Sequence, residues 1–136
     1  MKNEFEKKKI LVVDDDAVFQ DLAKLILSKK YDVATSKSGK DALILLLTNK
    51  PDLILLDIIM PEMDGWETFH KIRGTSLLQN VPIAFITSLS ETEGLENAQS
   101  LGAIEYFTKP IERTDFLNRI EKIFSGGINE QSFPGF

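Results

Sequence analysis

Four places along the 136-residue chain carry side chains that could act together: the run Asp14-Asp15-Asp16, then Asp57, Thr87 and Lys109. Three of them close unbroken apolar runs, Ile10-Leu11-Val12-Val13, Leu53-Ile54-Leu55-Leu56 and Ile83-Ala84-Phe85-Ile86, and Lys109 follows Ile104-Glu105-Tyr106-Phe107, a fifth strand with one charged residue in it. Unbroken apolar runs of this length read as strands of a parallel sheet covered on both faces. In such a sheet every strand ends on the same edge. Open α/β sheets bind ligands beyond that carboxyl edge, where strand order reverses. Asp14, Asp15 and Asp57 would then lie close together. Two unit charges ~4 Å apart repel by ~4 kcal/mol at an effective dielectric of about 20, so the cluster must hold protons or a cation. The chain has no cysteine and one histidine, which leaves oxygen ligands and a hard ion, Mg²⁺ with Mn²⁺ as its substitute. A hydroxyl at Thr87 and an ammonium at Lys109 are groups that hold a tetrahedral anion. The set describes a carboxylate that receives a phosphoryl group beside a divalent metal.

The elements that position these groups alternate in period. After Asp16 the residues Val18, Leu22, Leu25 and Ile26 fall at helical spacing, predicting a helix to Lys29 with this stripe as its apolar face. Asp16 itself reads as the helix N-cap rather than a ligand. Tyr31–Thr35 reads as a second strand. Ser38 with Asp41 opens a helix to about Leu47, and Pro51 breaks it before the strand at Leu53. Asp64 with Glu67 starts a helix through about Arg73, after the turn-rich Met60–Gly65. Ser90 with Glu93 caps a weak helix containing Gly94, which costs about 1 kcal/mol relative to alanine. Phe116, Leu117, Ile120, Ile123 and Phe124 form the stripe of the last helix, stopped by Gly126-Gly127. Five βα units predict a parallel sheet with helices on both faces and right-handed crossovers.

Composition narrows the function. Forty-three per cent apolar residues in one chain of this length suit a single domain. The absence of cysteine excludes disulfide scaffolds, zinc–thiolate sites, iron–sulfur clusters and thiol catalysis. Twenty-one acidic against 16 basic residues, a net charge of −5, disfavour nucleic-acid binding by this domain alone. No apolar run approaches the ~20 residues that span a bilayer, and the charged N-terminus lacks the apolar stretch of a signal peptide, so a cytoplasmic, non-membrane protein is expected.

The motifs Val12-Val13-Asp14-Asp15-Asp16, Leu55-Leu56-Asp57 through Met60-Pro61-Glu62-Met63-Asp64-Gly65, Ile86-Thr87-Ser88, Gly102-Ala103, Tyr106 and Lys109-Pro110 resemble, in order and spacing, the receiver domain of bacterial two-component response regulators. The likeness covers about residues 9 to 125. It implies a (βα)5 doubly wound fold of the flavodoxin-like type, with strand order 2-1-3-4-5. It also implies a lead-in over 1–8, a receiver over 9–125 and a tail or linker over 126–136.

By that resemblance Asp57 would take a phosphoryl group from the phosphohistidine of a sensor histidine kinase or phosphotransfer protein. Asp15 would ligate Mg²⁺ directly, Asp14 through water, and Asp57 with the backbone carbonyl of Ile59 would complete the protein's share. Thr87 would hydrogen-bond the phosphoryl group and Lys109 would pair with it. The Lys109–Pro110 bond would be cis. Thr87 and Tyr106 would form the switch, and partners would read the face of the fourth helix, fifth strand and fifth helix. The implied activity is a switch that phosphorylates and dephosphorylates itself, not a turnover enzyme. The implied state is a monomer or a phosphorylation-dependent dimer.

Several residues depart from the family pattern. Ala17 stands where proline is frequent and Gln20 where arginine is, both read as lying off the chemistry. Ile59 and Leu89 occupy positions where relatives vary and hydrolysis rate follows, and two bulky apolar residues there are expected to shield an acyl phosphate from water. His70 reads as a surface or packing residue, Trp66 as core or rim packing with a fluorescence useful for following metal, and Leu43–Leu47 as half-buried packing, with a dimer face the sharper alternative. The Lys7-Lys8-Lys9 run reads as a solvated end, and Phe133, Pro134 and Phe136 as a frayed tail.

Other functions fit less well. A constitutive binding module would not need Asp14, Asp15, Asp57, Thr87 and Lys109 together. A haloacid-dehalogenase-like phosphatase wants a second Asp where Ile59 stands. A flavodoxin-like cofactor binder needs glycines and backbone N–H groups where the first turn is acidic. A stand-alone receiver and a fragment of a larger regulator with DNA-binding output both remain open, the Gly126-Gly127 linker suiting the fragment. The start at Met1 disfavours the C-terminal receiver of a hybrid kinase.

Overall fold

Alternating apolar residues along buried strands divide the interior into two halves, one on each face of a five-stranded parallel sheet. The computed structural model describes residues 6–126. The order is β1 (Lys9–Val13), α1 (Ala17–Leu27), β2 (Asp32–Ser36), α2 (Gly39–Leu45), β3 (Leu53–Leu56), α3 (Gly65–Arg73), a 3₁₀ turn at Ser76–Leu78, β4 (Ile83–Thr87), α4 (Glu91–Leu101), β5 (Glu105–Thr108) and α5 (Arg113–Ser125). The sheet order β2-β1-β3-β4-β5 reverses between β1 and β3, the doubly wound arrangement. Val13 lies opposite Ser36 on one side and Leu56 on the other.

Side chains of successive strand residues point to opposite faces, so each central strand feeds both halves. Leu11, Val13, Ile54, Leu56 and Phe85 pack with Ala42, Phe69, Ile72, Leu95 and Ala98 of α2, α3 and α4. Ile10, Val12, Leu53, Leu55, Ala84 and Ile86 pack with Phe19, Ala23 and Leu27 of α1 and Phe116 and Ile120 of α5. β3 and β4 are buried throughout, as their unbroken apolar runs require.

Caps set the helix starts. Asp16 accepts from the N–H groups of Val18 and Phe19, as expected of an N-cap. Ser38 and Asp64 cap α2 and α3, and Ser90 with Glu93 makes the reciprocal capping box of α4. Gly102 and Gly126 end α4 and α5 with left-handed φ values of 85° and 79°. Gly127 and the residues Phe133, Pro134 and Phe136, like most of the lead-in, lie outside the described residues.

The face of α1 differs from expectation. Val18 and Leu25 are 77% and 70% exposed and Leu22 is also exposed. Of the expected face Ile26 is buried, and it lies with Phe19, Ala23 and Leu27 in a stripe one step round the helix. Both stripes are apolar at helical spacing, and only the Phe19 stripe meets β1 and α5. In α2 and the turn after it, Ala42 and Leu46 are buried while Ile44 and Leu47 are exposed, in line with half-buried packing. His70 lies exposed on α3. Among the described residues no helix is long and apolar enough to cross a membrane.

Candidate functional site

Backbone hydrogen bonds at the carboxyl edge bring the distant polar residues together. Asp57 N–H donates to the Val13 carbonyl at 2.9 Å, Asp14 N–H to the Ser36 carbonyl at 3.0 Å, and Lys109 N–H to the Thr87 carbonyl at 2.8 Å. Each bond extends a strand ladder by one residue, so the ends of β2, β1 and β3, and those of β4 and β5, stay in register to the site. One carboxylate oxygen from each of Asp14, Asp15 and Asp57 lies within 4.8 Å of the others. Asp14 and Asp57 are buried and Asp15 is exposed, so the cluster opens to solvent on one side. Three carboxylates with no sulfur or nitrogen among them suit a hard divalent cation with water in its remaining positions.

Lys109 supplies the countercharge. Its Nζ donates to Asp14 Oδ2 at 2.6 Å and to Asp57 Oδ2 at 3.4 Å. The ammonium also lies 4.3 Å from the centre of the Phe19 ring, a cation–π contact on its inner side. Burial opposes the charge on Lys109, yet the hydrogen bond and charge of Asp14 and Asp57 leave its pKa raised, so it stays protonated. Burial pushes the Asp57 carboxyl above the usual range, and the charge of Asp14 adds to that. Lys109, the Thr87 hydroxyl and the Ile59 N–H pull it back. Ile59 N–H lies 3.3 Å from Asp57 Oδ1. The Lys109–Pro110 peptide is cis.

Thr87 is fully buried and its Oγ1 accepts from Leu89 N–H at 3.3 Å. Tyr106 is 3% exposed, with its hydroxyl donating towards the carbonyls of Leu89 at 3.3 Å and Ser90 at 3.2 Å. Burial, with the charges of Glu93, Glu91 and Asp57, pushes its pKa up to about 12. Ile59 is 52% exposed and Leu89 is half-buried. Trp66 is half-buried and edge-on to Phe85 at 4.8 Å, the expected packing role.

Gln20 corrects the reading that placed it off the chemistry. Its Nε2 donates to the Asp14 carbonyl at 2.6 Å and the Ser36 carbonyl at 2.9 Å, tying the ends of β1 and β2. It fixes the backbone that carries Asp14. A polar residue directly after Phe19, on the buried side of α1, was the signal, and it was masked by placing the apolar face at Val18. Gly65 is a second residue missed. Its N–H donates to the Ile58 carbonyl at 2.8 Å, and a Cβ there would collide with the Asp57 carbonyl oxygen. The start of α3 can therefore press against the peptide that holds Asp57. Glu105 is a third: fully buried on β5, it pairs with Arg119 of α5 at 2.7 Å and 3.1 Å.

Comparison with known proteins agrees with this geometry. A family model described as the response regulator receiver domain matches residues 10–121. The chain is 38% identical over 124 residues to histidine kinase P4 of Formosa agariphila, covering 88% of this chain and 9% of the kinase. It is 38% identical over 117 residues to the alkaline phosphatase synthesis transcriptional regulatory protein PhoP of Bacillus subtilis, covering 85% of this chain and 48% of the regulator. The crystal structure of the chemotaxis protein CheY4 of Vibrio cholerae superposes with a TM-score of 0.80 at 26% identity, covering 86% of this chain and 98% of that one. The chain thus spans half or less of the two curated relatives. A doubly wound sheet with an acidic cluster at its switch point, matched by that family model over nearly all of its elements, places the chain among the response regulator receiver domains of two-component systems.

Proposed function

We propose that the chain accepts a phosphoryl group on Asp57 from the phosphohistidine of a sensor histidine kinase or phosphotransfer protein, with Mg²⁺ held by Asp14, Asp15, Asp57 and the Ile59 carbonyl. The observation that carries this reading is the meeting of three carboxylates, Thr87 and the Lys109 ammonium at one sheet edge. An Asp57 oxygen forms the bond to phosphorus while the phosphorus–nitrogen bond breaks, and the histidine, protonated on its other ring nitrogen before transfer, takes the bond's electron pair and leaves as neutral imidazole. Mg²⁺ would offset the negative charge gathered by the carboxylates and the phosphoryl oxygens. Lys109 and Thr87 would hold those oxygens, one by charge and one by hydrogen bond. Mn²⁺ would serve in the same donor set.

A donor that is itself a protein needs a surface beside the site. Exposed Val18 and Leu22 on α1, with Pro110 and Ile111, line a groove that runs up to Lys109. Apolar residues there suit a partner helix bringing its phosphohistidine over the cluster. The phosphorylated form would signal through α4, β5 and α5 to a protein target, as a monomer or a phosphorylation-dependent dimer in the cytoplasm, over a unit of residues 9–125. Residues 1–8 and 126–136 would serve as lead-in and linker. A second reading, a receiver within a longer regulator of transcription, is favoured by the 48% coverage of the PhoP relative.

The test is intact mass after incubation with Mg²⁺ and acetyl phosphate. One added phosphoryl group, absent from Asp57→Asn and from metal-free protein, is expected. An unchanged mass, with no binding of Mg²⁺ and beryllofluoride by Trp66 fluorescence, would turn the reading towards a constitutive binding module.

A further inference from the structure

The Tyr106 ring occupies space that α4 leaves open at a single residue. A Cβ built on Gly94 would collide with the Tyr106 hydroxyl and would lie 2.9 Å from the ring carbon that bears it and 3.1 Å from its neighbour. A real Cβ does not tolerate such contacts, so with any other residue at position 94 the ring must leave or α4 must shift. Gly94 is buried in the first half of α4, where it costs about 1 kcal/mol relative to alanine. Local helix chemistry gives no reason for it, since Ser90 and Glu93 already cap the start. The contact with Tyr106 does.

The same ring holds the β4–α4 connection. The Tyr106 hydroxyl reaches the Leu89 and Ser90 carbonyls, while Leu89 N–H donates to Thr87 Oγ1. The Leu89 residue is therefore held by two hydroxyls, one from the site and one from β5. If the ring left, the Leu89 and Ser90 carbonyls would lose that donor, and the link from β5 to Thr87 would open.

We propose that Gly94 is the positioning residue for Tyr106: by lacking a side chain it admits the ring under α4, so that the tyrosine is seated inward, and the Leu89 connection behind Thr87 is braced, before any phosphoryl group arrives. The geometric half stands on the structure alone. The consequence for signalling rests on the receiver reading. It is that the Tyr106 part of the α4, β5 and α5 face is set before phosphorylation, which would then change that face through Thr87 and the β4–α4 connection more than by moving Tyr106. The high pKa of the hydroxyl agrees with a ring already enclosed.

The test uses the full chain labelled with 3-fluorotyrosine, with Tyr31→Phe to leave one resonance. In the parent, Tyr106 is expected to give a shifted, solvent-protected signal that changes little on adding Mg²⁺ and beryllofluoride. Gly94→Ala should move that signal to the position of an exposed tyrosine, with the fold intact by circular dichroism because alanine favours the helix. In a Tyr106→Leu background, Gly94→Ala should no longer disturb the β4–α4 amide resonances, because the shorter side chain leaves the space free. An unmoved fluorine signal in Gly94→Ala overturns the proposal. So does a large inward shift of the parent signal with beryllofluoride. An effect of Gly94→Ala that is equally disruptive in the Tyr106→Leu background overturns it as well. Failure of Asp57 to gain a phosphoryl group in the mass experiment would remove the signalling consequence and leave the Gly94–Tyr106 result standing.

Discussion

Lys109 Nζ sits 2.6 Å from Asp14 Oδ2 and 3.4 Å from Asp57 Oδ2, so the ammonium pairs mainly with the carboxylate that ends β1 and only loosely with the candidate acceptor. The two contacts make Lys109 a competitor for any cation drawn to Asp14 and, at the same time, a cation aimed at the place where phosphoryl oxygens would lie.

Lys109→Ala should therefore split two properties. Removing a unit charge this close to the carboxylates should tighten Mg²⁺ binding by about tenfold or more, the least that a ~4 kcal/mol contact at an effective dielectric of 20 would suggest after screening. Acceptance from acetyl phosphate should fall by about a hundredfold or more, the scale of losing one charged stabiliser. Trp66 fluorescence titration and the rate of mass gain check the two halves. Equal losses in both would show that Lys109 acts only by holding the site together.

The raised pKa of Asp57 sets a pH dependence of stability. A carboxyl whose folded pKa lies above its unfolded value gives stability that is complete below the unfolded pKa and is lost as pH rises through the folded one. The ionised form of Asp57 thus costs stability at neutral pH in metal-free protein. Asp57→Asn should stabilise the metal-free protein at pH 7 by on the order of 1 kcal/mol, and the gain should shrink towards pH 4. Saturating Mg²⁺ should stabilise the parent by about 2.7 kcal/mol at a hundred times its Kd, and Asp15→Asn much less. Urea unfolding at several pH values, with and without metal, measures both.

Ile59 stands 52% exposed directly after the loop that carries Asp57, and its own N–H faces Asp57 Oδ1. An apolar side chain at the rim would keep water from lining up on an acyl phosphate at Asp57. Ile59→Asn should shorten the lifetime of the phosphorylated form by about tenfold, equivalent to ~1.4 kcal/mol of barrier. The decay of the added mass after removal of acetyl phosphate gives the rate, and an unchanged lifetime refutes the shield.

Glu105 is fully buried and Arg119 half-buried, and their two hydrogen bonds join β5 to α5 beside Tyr106, whose carbonyl also accepts from Arg119 at 2.9 Å. Deleting Glu105 would leave Arg119 paired with Asp115 at 3.0 Å and with the Tyr106 carbonyl, whereas deleting Arg119 strands the fully buried Glu105 carboxylate. Arg119→Ala should destabilise by about 3–5 kcal/mol, whereas replacing both residues by apolar ones of similar volume should cost far less. Chemical unfolding of the single and paired variants decides it.

Much of this protein was legible in the order of its residues. Continuous apolar runs ending in Asp14, Asp57 and Thr87, with a shorter strand signal before Lys109, predicted both the parallel sheet and the edge on which its polar groups meet, because covered strands must be apolar on both faces and parallel strands end together. The caps at Asp16, Ser38, Asp64 and Ser90 were readable because capping is local. Element ends moved by one or two residues, as with β2, expected at Tyr31–Thr35 and found at Asp32–Ser36, since fraying ends are settled by neighbours.

What escaped was phase and long-range pairing. The period of α1 is plain in its sequence, but Val18-Leu22-Leu25 and Phe19-Ala23-Leu27 satisfy it equally, and only contact with β1 and α5 chooses the second. Gln20 reads as an ordinary helix residue until that rotation turns it onto the Asp14 and Ser36 carbonyls. Glu105 and Gly94 read as blemishes in a strand and a helix, yet one answers Arg119, 14 residues on, and the other makes room for Tyr106. Periodicity and capping are written within a few neighbouring residues. Which face turns inward, and which residue must be small or charged, depends on what lies across the interior, and only the assembled fold supplies that.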